Sequence, residues 1–141
     1  MAATDFVWGR IPLQGADMPY KNTSGAAITA GQVLKLDATN VIGATQPQVG
    51  MVLPSATTDV PDGFAVENVP IGGQGRVQTE GLAIGIASGA ISAGASVMPA
   101  ATLGQVSPWT ASNAQAGKAW STTTTAGDPI LIRVNVNSNG H

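Results

Sequence analysis

A chain of 141 residues suits one domain, which at this size buries about two-thirds of the surface its unfolded form exposes. Only 10% of its residues are charged, the net charge is −2, and the basic residues are scattered from Arg10 to Arg133, so no basic patch is expected to hold a nucleic acid. Cysteine is absent, which removes disulfides and thiolate metal sites, and no apolar run approaches the roughly 18 residues of a membrane helix; neither a cleaved signal nor a membrane span is expected.

Residues 1–24 read as an extended arm. Phe6 and Trp8 alternate with Val7 and Gly9, Ile11 and Leu13 follow, and Pro12 and Pro19 exclude a long helix. Two placements are open for the aromatics: against the protein's own sheet, or as anchors on a neighbouring subunit or another protein. From residue 25 to 136 the pattern is that of a single β domain. Strands are expected at 32–36, 41–42 and 49–53, where Pro54 ends the run, with a Thr/Asp/Pro-rich loop at 55–63 and a strand at 65–69. Residues 76–80 alternate, Gly81 breaks them, and 82–86 resume. Residues 87–91 allow one helical turn, 96–99 and 105–108 are short strands, and 109–113 form a loop. The last strand is the clearest: Ile130, Ile132, Val134 and Val136 fall on one face, Arg133 and Asn135 on the other. Residues 137–141 read as a flexible tail.

One phrase recurs. Ile28-Thr-Ala-Gly31 returns as Ile91-Ser-Ala-Gly94, and each is followed by a short apolar run, a polar stretch and a glycine-led run, Val49-Gly-Met-Val-Leu53 in the first half and Ala116-Gly-Lys-Ala-Trp120 in the second. The expectation is an all-β protein, a compact small barrel-like or sandwich-like domain with little helix, an extended N-terminal arm and two related β units.

Chemistry is sparse in the sequence. The sole histidine is the terminal His141, a poor base for a triad. The Gly72-Gly-Gln-Gly75 cluster leads into a strand, not a helix with a Lys-Ser/Thr end, so it fits a hairpin better than a phosphate loop. Asp59 and Asp62 flank Val60-Pro61 but lack the ligand density of a calcium loop. The expectation is therefore no catalytic residue, no cofactor and no metal.

The order of Ile28-Thr-Ala-Gly31, Val49-Gly-Met-Val-Leu53, Gly75-Arg-Val-Gln-Thr-Glu-Gly81, Ile91-Ser-Ala-Gly94, Ala116-Gly117 and Gly127-Asp-Pro-Ile-Leu-Ile-Arg-Val134 resembles the small capsid decoration, or cement, proteins of tailed bacteriophages. The resemblance implies a mostly β homotrimer on the outer surface of the virion head, bound to the major capsid protein at junctions between capsomers. It also implies that the protein clamps the expanded shell. Under that reading the capsid or subunit contacts are Phe6, Trp8, Ile11, Leu13, Tyr20, Trp109 and Trp120. Lys118 and Trp120 stand where the family has aliphatics, and the loop over 99–116 is longer, which directs attention to Trp109 and Trp120. The alternative is a carbohydrate-binding or adhesion module of a phage tail or fibre, with Trp8, Tyr20, Trp109 and Trp120 as stacking platforms. A major shell subunit is disfavoured by size and by the lack of helices.

Overall fold

The computed structural model describes residues 16–39 and 48–137, with side chains for 17–39 and 48–134. Among them there is no helix. Nine strands run β1 (Ala16–Asn22), β2 (Val33–Leu36), β3 (Val49–Val52), β4 (Gly63–Ala65), β5 (Gln74–Ile86), β6 (Ser96–Pro99), β7 (Val106–Pro108), β8 (Gln115–Ala119) and β9 (Pro129–Asn137). The all-β expectation holds, and the barrel form of it is the one adopted: β1, β3, β2, β4 and the first half of β5 close a five-stranded barrel through the β1–β5 pairing. The remaining strands form a second ring, β5-β9-β8-β6-β7, closed by the parallel bridge of Ala87 to Val106.

The long strand β5 serves both rings. Its residues 74–80 pair with β1, and its residues 81–86 pair with β9; the change of partner falls at Gly81, whose φ is +85°. The sequence reads Gly81 as a break, but the strand continues through it and only its neighbour changes.

The two rings match hydrogen bond for hydrogen bond. Ile28 and Val69 exchange two backbone bonds in the first, as Ile91 and Thr123 do in the second. The Gly31 amide donates to Ala65 O at 2.9 Å, and the Gly94 amide donates to Ala119 O at 2.7 Å. Gly31 and Gly94 have φ of +94° and +95°, a left-handed turn that glycine alone adopts cheaply, so the recurring phrase is a turn that delivers the chain into β2 and into β6. The pairing of Asn22 with Met51 has its counterpart in Ala87 with Val106. Two related β units are present.

Their register differs from the expected one. The glycine-led run that corresponds to Gly117-Lys-Ala119 is Gly63-Phe-Ala65, not the run at Val49. Leu34 faces Gly63 as Val97 faces Gly117, and β3 corresponds to β7. The reason is a close approach: a Cβ on Gly63 would stand 2.5 Å from Gln78 O and 2.7 Å from a Val77 methyl, and one on Gly117 would collide with Arg133 O and an Ile132 methyl. Glycine is required where a short strand crosses the hairpin wall this tightly.

Other boundaries move for similar reasons. The N-terminal arm does not extend to residue 24, because residues 16–22 are a strand held between β3 and β5. The expected strand at 65–69 lies earlier, at Gly63–Ala65, and begins at the last residue of the span read as a loop. Ala87 and Ile91 form bridges with no helical turn between them, and β9 reaches Asn137. The expected strand at 41–42, the arm over 1–15 and the tail beyond 137 lie outside the described residues.

Each ring has its own interior. Tyr20, Ile28, Leu34, Met51, Ala65, Val69 and Val77 fill the first, and Ala83, Ile91, Val97, Val106, Ile130, Ile132 and Val134 the second. The face read into the last strand is confirmed at its three described apolar positions. Val33 and Phe64 belong to the first barrel by chain position but are wholly buried in the second cluster, so they form the joint between barrels. Two buried polar side chains lock the recurring turns. Asn22 donates to Ala26 O at 2.8 Å, Val69 O at 3.1 Å and Pro70 O at 3.2 Å; Thr123 donates to Gly89 O at 2.8 Å and accepts from the Ile91 amide at 3.1 Å.

Replacing Gly63 or Gly117 with alanine is expected to destabilise the protein by about 1–3 kcal/mol, the range for forced overpacking. Urea unfolding of the two variants checks this; equal midpoints for variant and parent would refute the close-approach argument.

Candidate interaction surface

Ionisable side chains are used locally. Asp59 accepts from the Ser55 amide at 2.9 Å and the Ala56 amide at 3.1 Å and pairs with Lys35 at 3.0 Å, whereas Asp62 accepts from the Leu36 amide at 2.9 Å. These two carboxylates tie separate stretches of backbone and do not converge. Burial opposes ionisation of Asp59, but the bonds from Lys35 and the two amides outweigh it and hold the carboxyl below its ordinary range. Asp17 pairs with Arg76 across β1 and β5 at 2.6 Å, and that hydrogen bond lowers its pKa against a smaller effect of burial. Among the described residues, no group of three or more His, Asp or Glu stands together.

The expected contact residues part company. Tyr20 is not available to a partner. Alternation along β1 turns Met18, Tyr20 and Asn22 inward, and Tyr20 is fully buried with its hydroxyl unpaired. Desolvation, with a contribution from Glu67, pushes its pKa up to about 12. Trp109 is half-buried in a tight loop, its indole Nε1 donating to Asn113 O at 2.8 Å, with Ser112 in the left-handed region at φ +79°. Trp120 follows β8 on the outer side of the sheet and is 50% exposed, while its amide donates to Leu131 O at 2.7 Å. Phe6, Trp8, Ile11 and Leu13 lie outside the described residues.

Sequence reading overlooked a groove of about 410 Å³ at the joint of the barrels. Its walls are mostly apolar. Ala30, Gly31, Ala65 and Val66 come from the first barrel, and Ile84, Gly85, Ile86 and Pro129 from the second; Asp17 also lines it. Val66 is 47% exposed and Ile84 is 55% exposed, and it is their place on one apolar groove, more than their exposure singly, that marks the surface. Aligning Gly63-Phe-Ala-Val66 with Gly117-Lys-Ala-Trp120 is the signal that finds Val66, because it puts an apolar side chain at the same outer position of each unit.

No protein-family model matches the chain, and no curated protein matches it in sequence. Among solved structures, the fold is similar to that of the head fiber gp8.5 N base in bacteriophage phi29. The two share a TM-score of 0.64 at 16% identity, over 89% of this chain and 98% of that one. At that identity the likeness is one of fold. It covers both barrels.

Three measurements test the geometry. Tyr20 is the only tyrosine, so near-ultraviolet absorbance of the folded protein should show no phenolate until pH approaches about 12. Tyr20→Phe, which removes an unpaired buried hydroxyl, should leave stability unchanged or raised, by up to about 1–3 kcal/mol; a loss of that size would show that the hydroxyl is bonded. Asp59 contributes stability that is complete above its unfolded pKa, near the ordinary 3.8, and is lost as pH falls through the lower folded value. Acid unfolding of Asp59→Asn should accordingly depend less on pH below 3.8 than that of the parent.

Proposed function

We propose that this chain is a non-enzymatic structural protein of a phage virion, a decoration protein that binds the outer surface of the major capsid protein shell as a homotrimer and stabilises it. The observation that carries the reading is the likeness of fold, over nearly the whole chain, to the base of a protein of the phage head. Two further observations agree with it. The carboxylates of Asp59, Asp62 and Asp128 tie nearby backbone, and large apolar side chains stand on the outside of both barrels. Such a protein needs a rigid body, protected strand edges and contact area. About 800 Å² per partner is ordinary for a stable contact, and several contacts on one oligomer raise attachment through effective concentration.

The adhesion reading is weaker. Tyr20 is buried and Trp109 is engaged by its own loop, which leaves Trp120 as the exposed ring among the described aromatics.

Purified protein should co-sediment with expanded, undecorated heads and raise their thermal disruption temperature. Deleting residues 1–15, which spares β1, should abolish head binding while leaving the oligomer intact. A protein that neither sediments with heads nor protects them would refute the capsid reading, and a saccharide response of tryptophan fluorescence would favour adhesion instead.

A further inference from the structure

The groove at the joint of the barrels lies where the described chain begins. Asp17 lines it, as does Gln78, the residue opposite Asp17 on β5. Ala16, one residue earlier, stands opposite Glu80, and β1 runs antiparallel to β5. The line of β1, continued towards the N-terminus, therefore passes Gly81 and reaches the level of Ala83, Ile84 and Gly85, all of which line the groove. Among the described strands, β9 alone pairs with residues 81–86 of β5. The register step between Ala16 and Asp17 skips Thr79 on β5, which leaves β1 itself in regular alternation: Met18 and Tyr20 turn towards the first interior, and Asp17 turns out to the groove. Carried on at period two, that alternation gives the groove side to Gly15, Leu13 and Ile11.

We propose that the groove is filled by the chain's own residues 11–13, with Ile11 and Leu13 seated against Val66, Ile84 and Ile86 and Pro12 facing outward between them. The reach is right. Leu13 is three residues from Ala16 and Ile11 is five, about 10 Å and about 17 Å of extended chain, and Ala83 and Gly85 lie three and five residues beyond Glu80 on the strand alongside. The chemistry is right as well: two branched aliphatics, bracketed by the polar Arg10 and Gln14, meet a mostly apolar wall, and the one carboxylate on it, Asp17, is held by Arg76 at 2.6 Å. Pro12 fixes its own φ and keeps Ile11 out of the helical region, so the segment is extended before it docks and gives up little freedom in doing so. The occupant is the same chain, not a second copy, because so short a tether to Ala16 gives Leu13 a high effective concentration at this wall. Docking covers Val66 and Ile84 and gives Phe6 and Trp8 a fixed point of departure beside the joint. The contact is independent of any capsid role.

The absence of cysteine makes the test direct. In the full chain, Ile84→Cys should react with a maleimide at least about tenfold more slowly than the same variant carrying Ile11→Asp and Leu13→Asp, the ratio for a segment docked in about nine molecules of ten. Leu13→Met should keep the protection. Ile71→Cys is the control: Ile71 is 64% exposed and precedes Gly72, which bonds Asn22 at the far end of β1, so its rate should be the same with and without the aspartates. Co-expressed with an excess of chains that carry both aspartates, Ile84→Cys copies should stay protected, since each brings its own Ile11 and Leu13. Equal rates for Ile84→Cys in the two backgrounds would overturn the proposal. Protection that survives the aspartates would overturn it by giving the groove another occupant, and protection lost on co-expression would overturn it in favour of a neighbouring copy's segment.

Discussion

Everything in this molecule depends on one backbone arrangement: a single strand of thirteen residues, β5, is shared by both rings. An unpaired strand edge exposes amides and carbonyls to any passing strand, and closing a sheet on itself removes that edge. The chain closes two rings with one strand: the first half of β5 pairs with β1 and β4, the second half pairs with β9, and the bridge of Ala87 to Val106 completes the second ring. From this follows the pair of small interiors, each too small to hold a large aromatic cluster. The first takes one tyrosine, while in the second the matching place is Gly85, with the ring of Phe64 closest to it from the neighbouring barrel.

The sequence made the local part of this legible. Ile130, Ile132 and Val134 reveal their face because period-two burial is a property of adjacent residues, and the turns at Gly31 and Gly94 reveal themselves because a left-handed backbone selects glycine. What it hid was set by distance. Gly50 and Gly63 look alike as letters, and only the carbonyl of Gln78 pressed against one of them identifies the partner of Gly117. Tyr20 looked like an anchor on an arm because β1 is polar and proline-interrupted as a string; its inward face exists only once β3 and β5 flank it. The groove was invisible for the same reason, since Val66 and Ile84 are far apart in sequence and meet through the joint.

The low charge content takes on a physical meaning in the fold. Aspartates that would decorate a solvated surface instead hold the amides of Ser55, Ala56 and Leu36, and Asp128 accepts from the amides of Thr124 and Thr125, so much of the scant charge is committed to shaping turns. The surface is left to small polar groups and isolated aliphatics. Such an exterior supports association by shape complementarity and apolar contact more than by long-range steering.

Sharing β5 also governs how the molecule comes apart. Opening either ring strips hydrogen bonds from a strand that the other ring needs, and Val33 and Phe64 withdraw from the second interior if the first loosens. The barrels are therefore expected to melt together, and amide protons near Glu80 and Gly81 to be among the last to exchange. A duplicated architecture of this kind behaves as a single cooperative body.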